Sequence, residues 1–385
     1  MVIEMLKRFE VTNYKNFKDK IVIDMGKVGG YHFNQECITD GKIGKMLIYG
    51  RNATGKTNLG KALMDISYIG WSGVRLQAGP LLNADSSQRD SLFKYVFQFG
   101  EDEIIYTYRR LSENVLLDEE MVVNGRQAFY YNFETRESSF GNLKILDADT
   151  VVIDRFIAAM DNAIMESDEK QTLPFLRWLI NNTPLQDGSL LLRLNDYMQR
   201  MSMLTVSESG IMRSRRVNES FYELLAEGEN LKDFEEFLNI MGVECRLDLK
   251  KLPDGQLELY FVHVKPVPFM QTASSGTQAL LRLYMRLIMR REASLLYIDE
   301  FDAFYHYEMS EKVVQFFKKK YPNSQIIMTT HNTNLMSNSL MRPDCLFILS
   351  GQGYLTALCD ATPRELREGH NLEKLYISGE FEDYE

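Results

Sequence analysis

The sequence predicts an α/β protein with a mixed, largely parallel sheet, an antiparallel β layer and a helical insertion. Three observations carry the prediction. Residues Gly50-Arg-Asn-Ala-Thr-Gly-Lys-Thr57 fit the phosphate-loop pattern G-x-x-x-x-G-K-[ST] at every fixed position, between an apolar strand from Lys45 to Tyr49 and a helix from Asn58 to Met64. The last third of the chain alternates apolar strands with amphipathic helices, which calls for crossover connections and parallel strands. Asn124-Gly125 and Pro253-Asp-Gly255 supply turn chemistry between alternating apolar runs, as antiparallel hairpins require.

In chain order, strands are expected from Leu6 to Thr12 and from Ile21 to Ile23, separated by Asn13-Tyr-Lys-Asn-Phe17. After the loop helix and a polar stretch from Gly70 to Asp90, strands follow at Leu92 to Phe99, Ile104 to Arg109, Met121 to Val123 and Gln127 to Tyr131. Near Thr150 the period becomes helical: Ile153, Phe156, Ile157 and Met160 share a face, and helices are expected at Phe175 to Ile180, Leu190 to Met203 and Phe221 to Leu238. Strands return at Glu244 to Leu252 and Gln256 to Val264. The alternating tail has strands at Ser294 to Ile298, Gln325 to Thr330 and Cys345 to Leu349, a helix from Met309 to Lys319, and a last hairpin strand at Tyr354 to Leu358. The expected organisation is residues 1–149 and 244–385 as two halves of one head, with 150–243 as the helical insertion. No segment sustains heptads, so a long coiled-coil arm is not expected.

Composition narrows the class. In 385 residues, 45% hydrophobic and 25% charged content is that of a globular protein, and no long uncharged apolar run suggests a membrane span or signal peptide. A cytoplasmic location is the expectation. Cys37, Cys245, Cys345 and Cys359 show no C-x-x-C spacing, so neither a disulfide framework nor a zinc site is indicated. The net charge of −10 argues against a whole-surface nucleic-acid footprint; Arg213, Arg215 and Arg216 form the best basic cluster, more readily explained as a solvated loop.

Four segments carry chemistry. Gly50, Arg51, Asn52, Ala53, Thr54, Gly55, Lys56, Thr57 and Asn58 are the expected nucleotide-binding residues, because glycines let backbone N–H groups close on phosphate oxygens while Lys56 adds a cation. The Thr57 hydroxyl is a candidate Mg²⁺ ligand. The run Ser294-Leu-Leu-Tyr-Ile298 delivers Asp299 and Glu300 to the C-terminal edge of a buried strand, where open α/β sheets bind ligands. Asp299 is the second candidate Mg²⁺ ligand and Glu300 is placed to polarise the attacking water; two capping acids before a turn would look the same. The strand Gln325-Ile-Ile-Met-Thr-Thr330 delivers His331 to the same edge, as a sensor of the γ-phosphate. Ser274, Ser275, Gly276 and Thr277 open an amphipathic helix, a terminus that serves either as an anion site or as a plain cap.

In that order, phosphate loop, serine-glycine segment, acid pair and strand-end histidine resemble the ATP-binding cassette class of P-loop ATPases. Asn52, Asn58-Leu59 and Asn13-Tyr-Lys-Asn-Phe17 resemble its branch of chromosome-maintenance ATPases, RecF-like repair proteins and overcoming-lysogenization-defect nucleases. Ser274-Ser-Gly-Thr277, the size of the insertion and Asn371-Leu-Glu-Lys-Leu-Tyr376 look most like stand-alone abortive-infection ATPases of the AbiL type. Glu380-Phe-Glu382 departs from the Arg-Phe-Gly with which that family tends to continue after Ser378-Gly379. The resemblance implies an ABC-type ATPase head that takes ATP and Mg²⁺. It also implies head-to-tail pairing, in which residues 274 to 277 of one copy close on ATP held by the loop of another. Arg51 and Asp302 lie where cross-dimer contacts could form, although such residues are more often merely solvated. Gln98, on a strand before a turn, is the one glutamine offered as a Mg²⁺ sensor.

Three functions follow. The first is a slow ATP hydrolase, a homodimer or higher oligomer, that controls a separate toxin or nuclease in antiviral defence. The second is an ATP-locked scaffold that sequesters such an effector with little turnover. The third is a RecF-like DNA-repair ATPase, for which the acidic balance and lack of a basic stripe give a nucleic-acid partner no support.

Overall fold

The computed structural model describes residues 3–70, 80–166, 172–205, 215–289 and 293–385. Arg213 and residues 71–79 of the polar stretch lie outside the described residues.

A six-stranded sheet forms the centre, in the order Ser202–Thr205, Leu295–Asp299, Gln325–Thr330, Lys45–Tyr49, Leu346–Leu349, Leu355–Ala357. Every neighbouring pair is parallel except the last hairpin. The loop's own strand Lys45–Tyr49, its neighbour Gln325–Thr330 and Leu295–Asp299 beyond it read as continuous apolar runs because they are buried on both faces. Register then decides function: Tyr49 pairs with Thr330, and Ile298 with Met328. Gly50, Glu300 and His331 therefore leave three adjacent strands at one edge.

A seven-stranded antiparallel sheet packs beside this core. Its order is Ser138–Ser139, Arg126–Asn132, Val115–Val123, Asp102–Ser112, Ser91–Phe99, Glu4–Thr12, Ile21–Asp24. Its inner face is aromatic: Phe93, Tyr95, Phe97 and Tyr108 are buried, and Tyr95 donates to the Ala62 carbonyl at 3.0 Å, seating the sheet on the loop helix Lys56–Leu63. At the far end Gln325 joins the two sheets, accepting the Leu6 N–H at 2.7 Å and donating to the Leu6 carbonyl at 2.8 Å.

The expected strands are present, and two expected helices are not as read. The helix beginning at Leu190 stops at Gln199, and Ser202–Thr205 becomes the edge strand of the central sheet, parallel to Leu295–Asp299. The segment expected as a helical insertion thus supplies an edge strand of the central sheet. The expected helix from Phe221 to Leu238 is two, Arg215–Ala226 and Asn230–Ile240, separated where Gly228 takes a φ of +53°. Helices Ile153–Glu166 and Phe175–Asn182 bury Phe156, Phe175 and Trp178 against Phe129 and Tyr131 of the antiparallel sheet, whereas Ile157 is exposed.

Glu119 anchors that helical layer. Its carboxylate accepts the Tyr106 hydroxyl at 2.7 Å and the N–H groups of Phe175 and Leu176 at a helix start. Complete burial nevertheless pushes its carboxyl up to about 7, because desolvation outweighs those hydrogen bonds.

Candidate functional site

The loop from Gly50 to Thr57 turns sharply between strand and helix. Gly55 has a φ of +105°, and a Cβ there would lie 2.2 Å from the Asn16 amide nitrogen, so both backbone and space demand glycine. Ala53 holds φ +65° without that freedom. Lys56 curls back into the loop, donating to the carbonyls of Gly50 at 2.8 Å and Arg51 at 3.1 Å. Burial pushes its ammonium down, against the opposing charges of Glu300, Asp299 and Asp302.

Asn16 braces the loop from outside. It donates to the Thr54 carbonyl at 3.1 Å and accepts from the Asn58 amide at 2.7 Å. This gives Asn13-Tyr-Lys-Asn-Phe17 a role in holding the loop, one that residue chemistry alone had not disclosed.

Thr57 and Asp299 meet. The Thr57 hydroxyl donates to Asp299 Oδ2 at 2.6 Å, and Asp299 Oδ1 accepts from the Thr329 hydroxyl at 2.9 Å. The Thr57–Asp299 pair is all oxygen and lies beside a phosphate cradle, which suits Mg²⁺ completed by phosphate and water. Among the described residues no cluster of three His, Cys, Asp or Glu side chains could hold a metal alone. The residues fit a metal that arrives with its nucleotide.

Glu300 is half-buried, with a φ of +49°, a conformation costly for a side-chain-bearing residue. Its N–H is held by the Thr329 hydroxyl at 2.8 Å, and the Phe301 N–H by the Thr329 carbonyl at 3.1 Å. His331 is exposed at the same sheet edge, one residue after Thr330, whose carbonyl accepts the Gly50 N–H at 3.2 Å.

Asp302 corrects the expectation of a solvated acid: it is 7% exposed, and Oδ2 accepts the Thr330 hydroxyl at 2.7 Å. Burial pushes its carboxyl up. Arg51, offered for a cross-dimer contact, is ion-paired with Glu385 of the same chain. That acid and Tyr376, which donates to the Tyr49 hydroxyl at 3.1 Å, close a cavity of about 240 Å³ beside Arg51, Asn52 and Thr54. Glu385 therefore reaches the phosphate loop, while in the divergent Glu380-Phe-Glu382 Phe381 is fully buried and Glu380 accepts the Thr362 hydroxyl at 2.5 Å.

Gln98 is corrected by position. It lies beside Met5 and donates to the Gly100 carbonyl at 2.7 Å, at the end of the antiparallel sheet that Leu6 fastens to Gln325. Gln325 begins the strand that His331 follows, so Gln98 is at the opposite end from the loop.

Residues 274–277 stand apart from the loop within one chain. Ser274 Oγ accepts the Thr277 N–H at 3.1 Å as a helix cap, and Ser274 and Ser275 are exposed at the start of Ser275–Met289. A Cβ on Gly276 would lie 3.3 Å from the Phe304 carbonyl, so glycine allows the helix start to approach the turn after the acid pair. Among the described residues no hydrogen bond joins this cap to residues 50–58.

Known proteins were compared with the chain. Solved structures similar to it include an SMC head domain from Thermotoga maritima, at 14% identity over 92% of this chain and 98% of that one, TM-score 0.45. Another is the Smc head with an extended coiled coil bound to the C-terminal domain of ScpA, from Pyrococcus furiosus, at 17% identity over 92% and 96%, TM-score 0.48. A third, from Pyrococcus yayanosii, is at 14% over 93% and 98%, TM-score 0.49. No protein of curated function matches. Residues 45–337, well over half of the chain, match the family model described as AAA domain, putative AbiEii toxin, Type IV TA system. That span runs from the strand before the phosphate loop to beyond His331, and the chain accordingly belongs to this AAA-domain family of P-loop ATPases.

Proposed function

We propose that this protein hydrolyses ATP to ADP and phosphate, and that its cycle controls an effector in antiviral defence. The observation that carries hydrolysis, rather than binding alone, is the chain of contacts from Thr57 through Asp299 and Thr329 to Glu300. It ties the two candidate metal ligands to the backbone of the turn that carries the Glu300 carboxylate at the same sheet edge. Mg²⁺ held by Thr57 and Asp299 would neutralise phosphate charge. Lys56 binds the phosphates, Glu300 takes a proton from the attacking water, and His331 donates a hydrogen bond to the γ-phosphate oxygens. The toxin–antitoxin wording of the family description and the AbiL-like segments support the defence setting.

The exposed Ser274 and Ser275 of the helix cap, with no hydrogen bond to the loop of their own chain among the described residues, support a composite site closed by a second copy. A helix start offers N–H groups and partial positive charge to the triphosphate. Complementation tests this. Lys56→Ala removes the loop's cation and Ser275→Arg obstructs the cap, so each variant should be inactive alone. Mixing them should restore turnover, because one pairing unites an intact loop with an intact cap. Failure to recover activity, with both variants folded and exchanging subunits, would remove the head-to-tail reading.

A further inference from the structure

Among the described residues at this edge, Asp302 is a carboxylate to which the hydrolysis reading gives no part in metal binding or proton transfer. Its Oδ1 is buried and has no hydrogen-bond partner among the described residues, whereas Oδ2 accepts from Thr330. A buried carboxylate oxygen with no hydrogen-bond partner is costly, and such groups call for an explanation. A donor that arrives during the working cycle is one.

The candidates are few. The Tyr305 N–H is already given to the Asp302 carbonyl at 3.0 Å, and Lys56 is given to the carbonyls of Gly50 and Arg51. The His331 ring is exposed, and it has no hydrogen-bond partner among the described residues. Thr330 supplies the link between them. Its hydroxyl donates to Asp302 and accepts the Asn332 N–H at 2.9 Å, so the two contacts straddle His331.

We propose that Asp302 is a positioning residue for His331. Its Oδ2 holds Thr330, which fixes the backbone on both sides of the histidine, and its free Oδ1 accepts the imidazole N–H when the ring turns inward. The ring, which must carry a proton on each nitrogen to contact both Asp302 and the γ-phosphate, is then oriented with its second N–H toward the loop, as carboxylate partners orient histidines elsewhere. This rests on the hydrolysis reading above for its consequence, and on geometry alone for the clamp.

Two readouts test it in the full-length protein. In the nucleotide-free state, Asp302→Ala and Thr330→Val should speed amide exchange at Asn332 by about tenfold or more, while Asp302→Asn, which keeps an oxygen for Thr330, should leave it protected. In ATP turnover, Asp302→Asn should lower kcat about tenfold with KM within about twofold, and should cost nothing further in a His331→Ala background. Unchanged exchange in Asp302→Ala, or wild-type kcat in Asp302→Asn, would overturn the proposal. A wild-type protein with no turnover removes the hydrolysis reading instead, and Asn332 exchange alone then decides whether the clamp exists.

Discussion

Thr329 donates its hydroxyl to Asp299 Oδ1 at 2.9 Å and, with the same oxygen, accepts the N–H of Glu300 at 2.8 Å. One buried hydroxyl therefore orients a candidate metal ligand and holds the strained turn of the candidate base. Thr329→Val keeps the shape and removes both contacts. It should destabilise the protein by about 2 kcal/mol, because Asp299 Oδ1 and the Glu300 N–H are left without a partner, and Thr329→Ser should restore most of the loss. Urea denaturation of the three proteins measures this.

Gly60 decides how closely the loop helix sits on the acid-pair strand. A Cβ there would lie 2.5 Å from the Tyr297 ring, whose hydroxyl donates to the Lys56 carbonyl at 2.6 Å. Alanine improves helix propensity by about 1 kcal/mol, but overpacking a rigid ring costs about 1–3 kcal/mol. Overpacking should win. The expected result for Gly60→Ala is a lower melting temperature together with weaker nucleotide binding, read by thermal melts with and without Mg-ATP.

Glu119 gives the stability a pH dependence. Its carboxyl rises from an ordinary value near 4.5 to about 7 in the fold, so its contribution is present in full below 4.5 and is lost as pH rises through about 7. Glu119→Gln mimics the protonated form at every pH. It should match the wild type near pH 4.5 and become more stable than it by on the order of 3 kcal/mol above pH 7. A pH-independent difference between the two proteins would count against this account.

Sequence legibility followed the range of the physics. The strands Lys45–Tyr49 and Gln325–Thr330 were readable because burial on both faces leaves an unbroken apolar run, and the phosphate loop because its backbone geometry constrains residue type. Ser202–Thr205 was not readable: four residues carry too little period, and Met201 and Met203 continue the apolar spacing of the preceding helix, with neither glycine nor proline to mark its end. In sequence Asp302 reads as a solvated turn acid because the hydroxyl that holds it, Thr330, is 28 positions away and on another strand. Gln98 failed for a similar reason, since local composition does not say at which end of a sheet a strand terminates. The Thr57–Asp299 contact spans 242 positions, so the sequence could name both residues as metal ligands without showing that they touch.

On the hydrolysis reading, Glu300 performs the proton transfer of a metal-dependent reaction while Lys56, Thr57 and Asp299 bind. The most direct measurement is ATP turnover beside ATP affinity for the wild type and Glu300→Gln, each with and without Mg²⁺. The account predicts Mg²⁺-dependent turnover in the wild type, a loss of about 10²–10⁴-fold in kcat for Glu300→Gln, and an unchanged Kd for Mg-ATP. Wild-type turnover retained by Glu300→Gln, or a folded wild type that binds Mg-ATP and does not hydrolyse it, would contradict it.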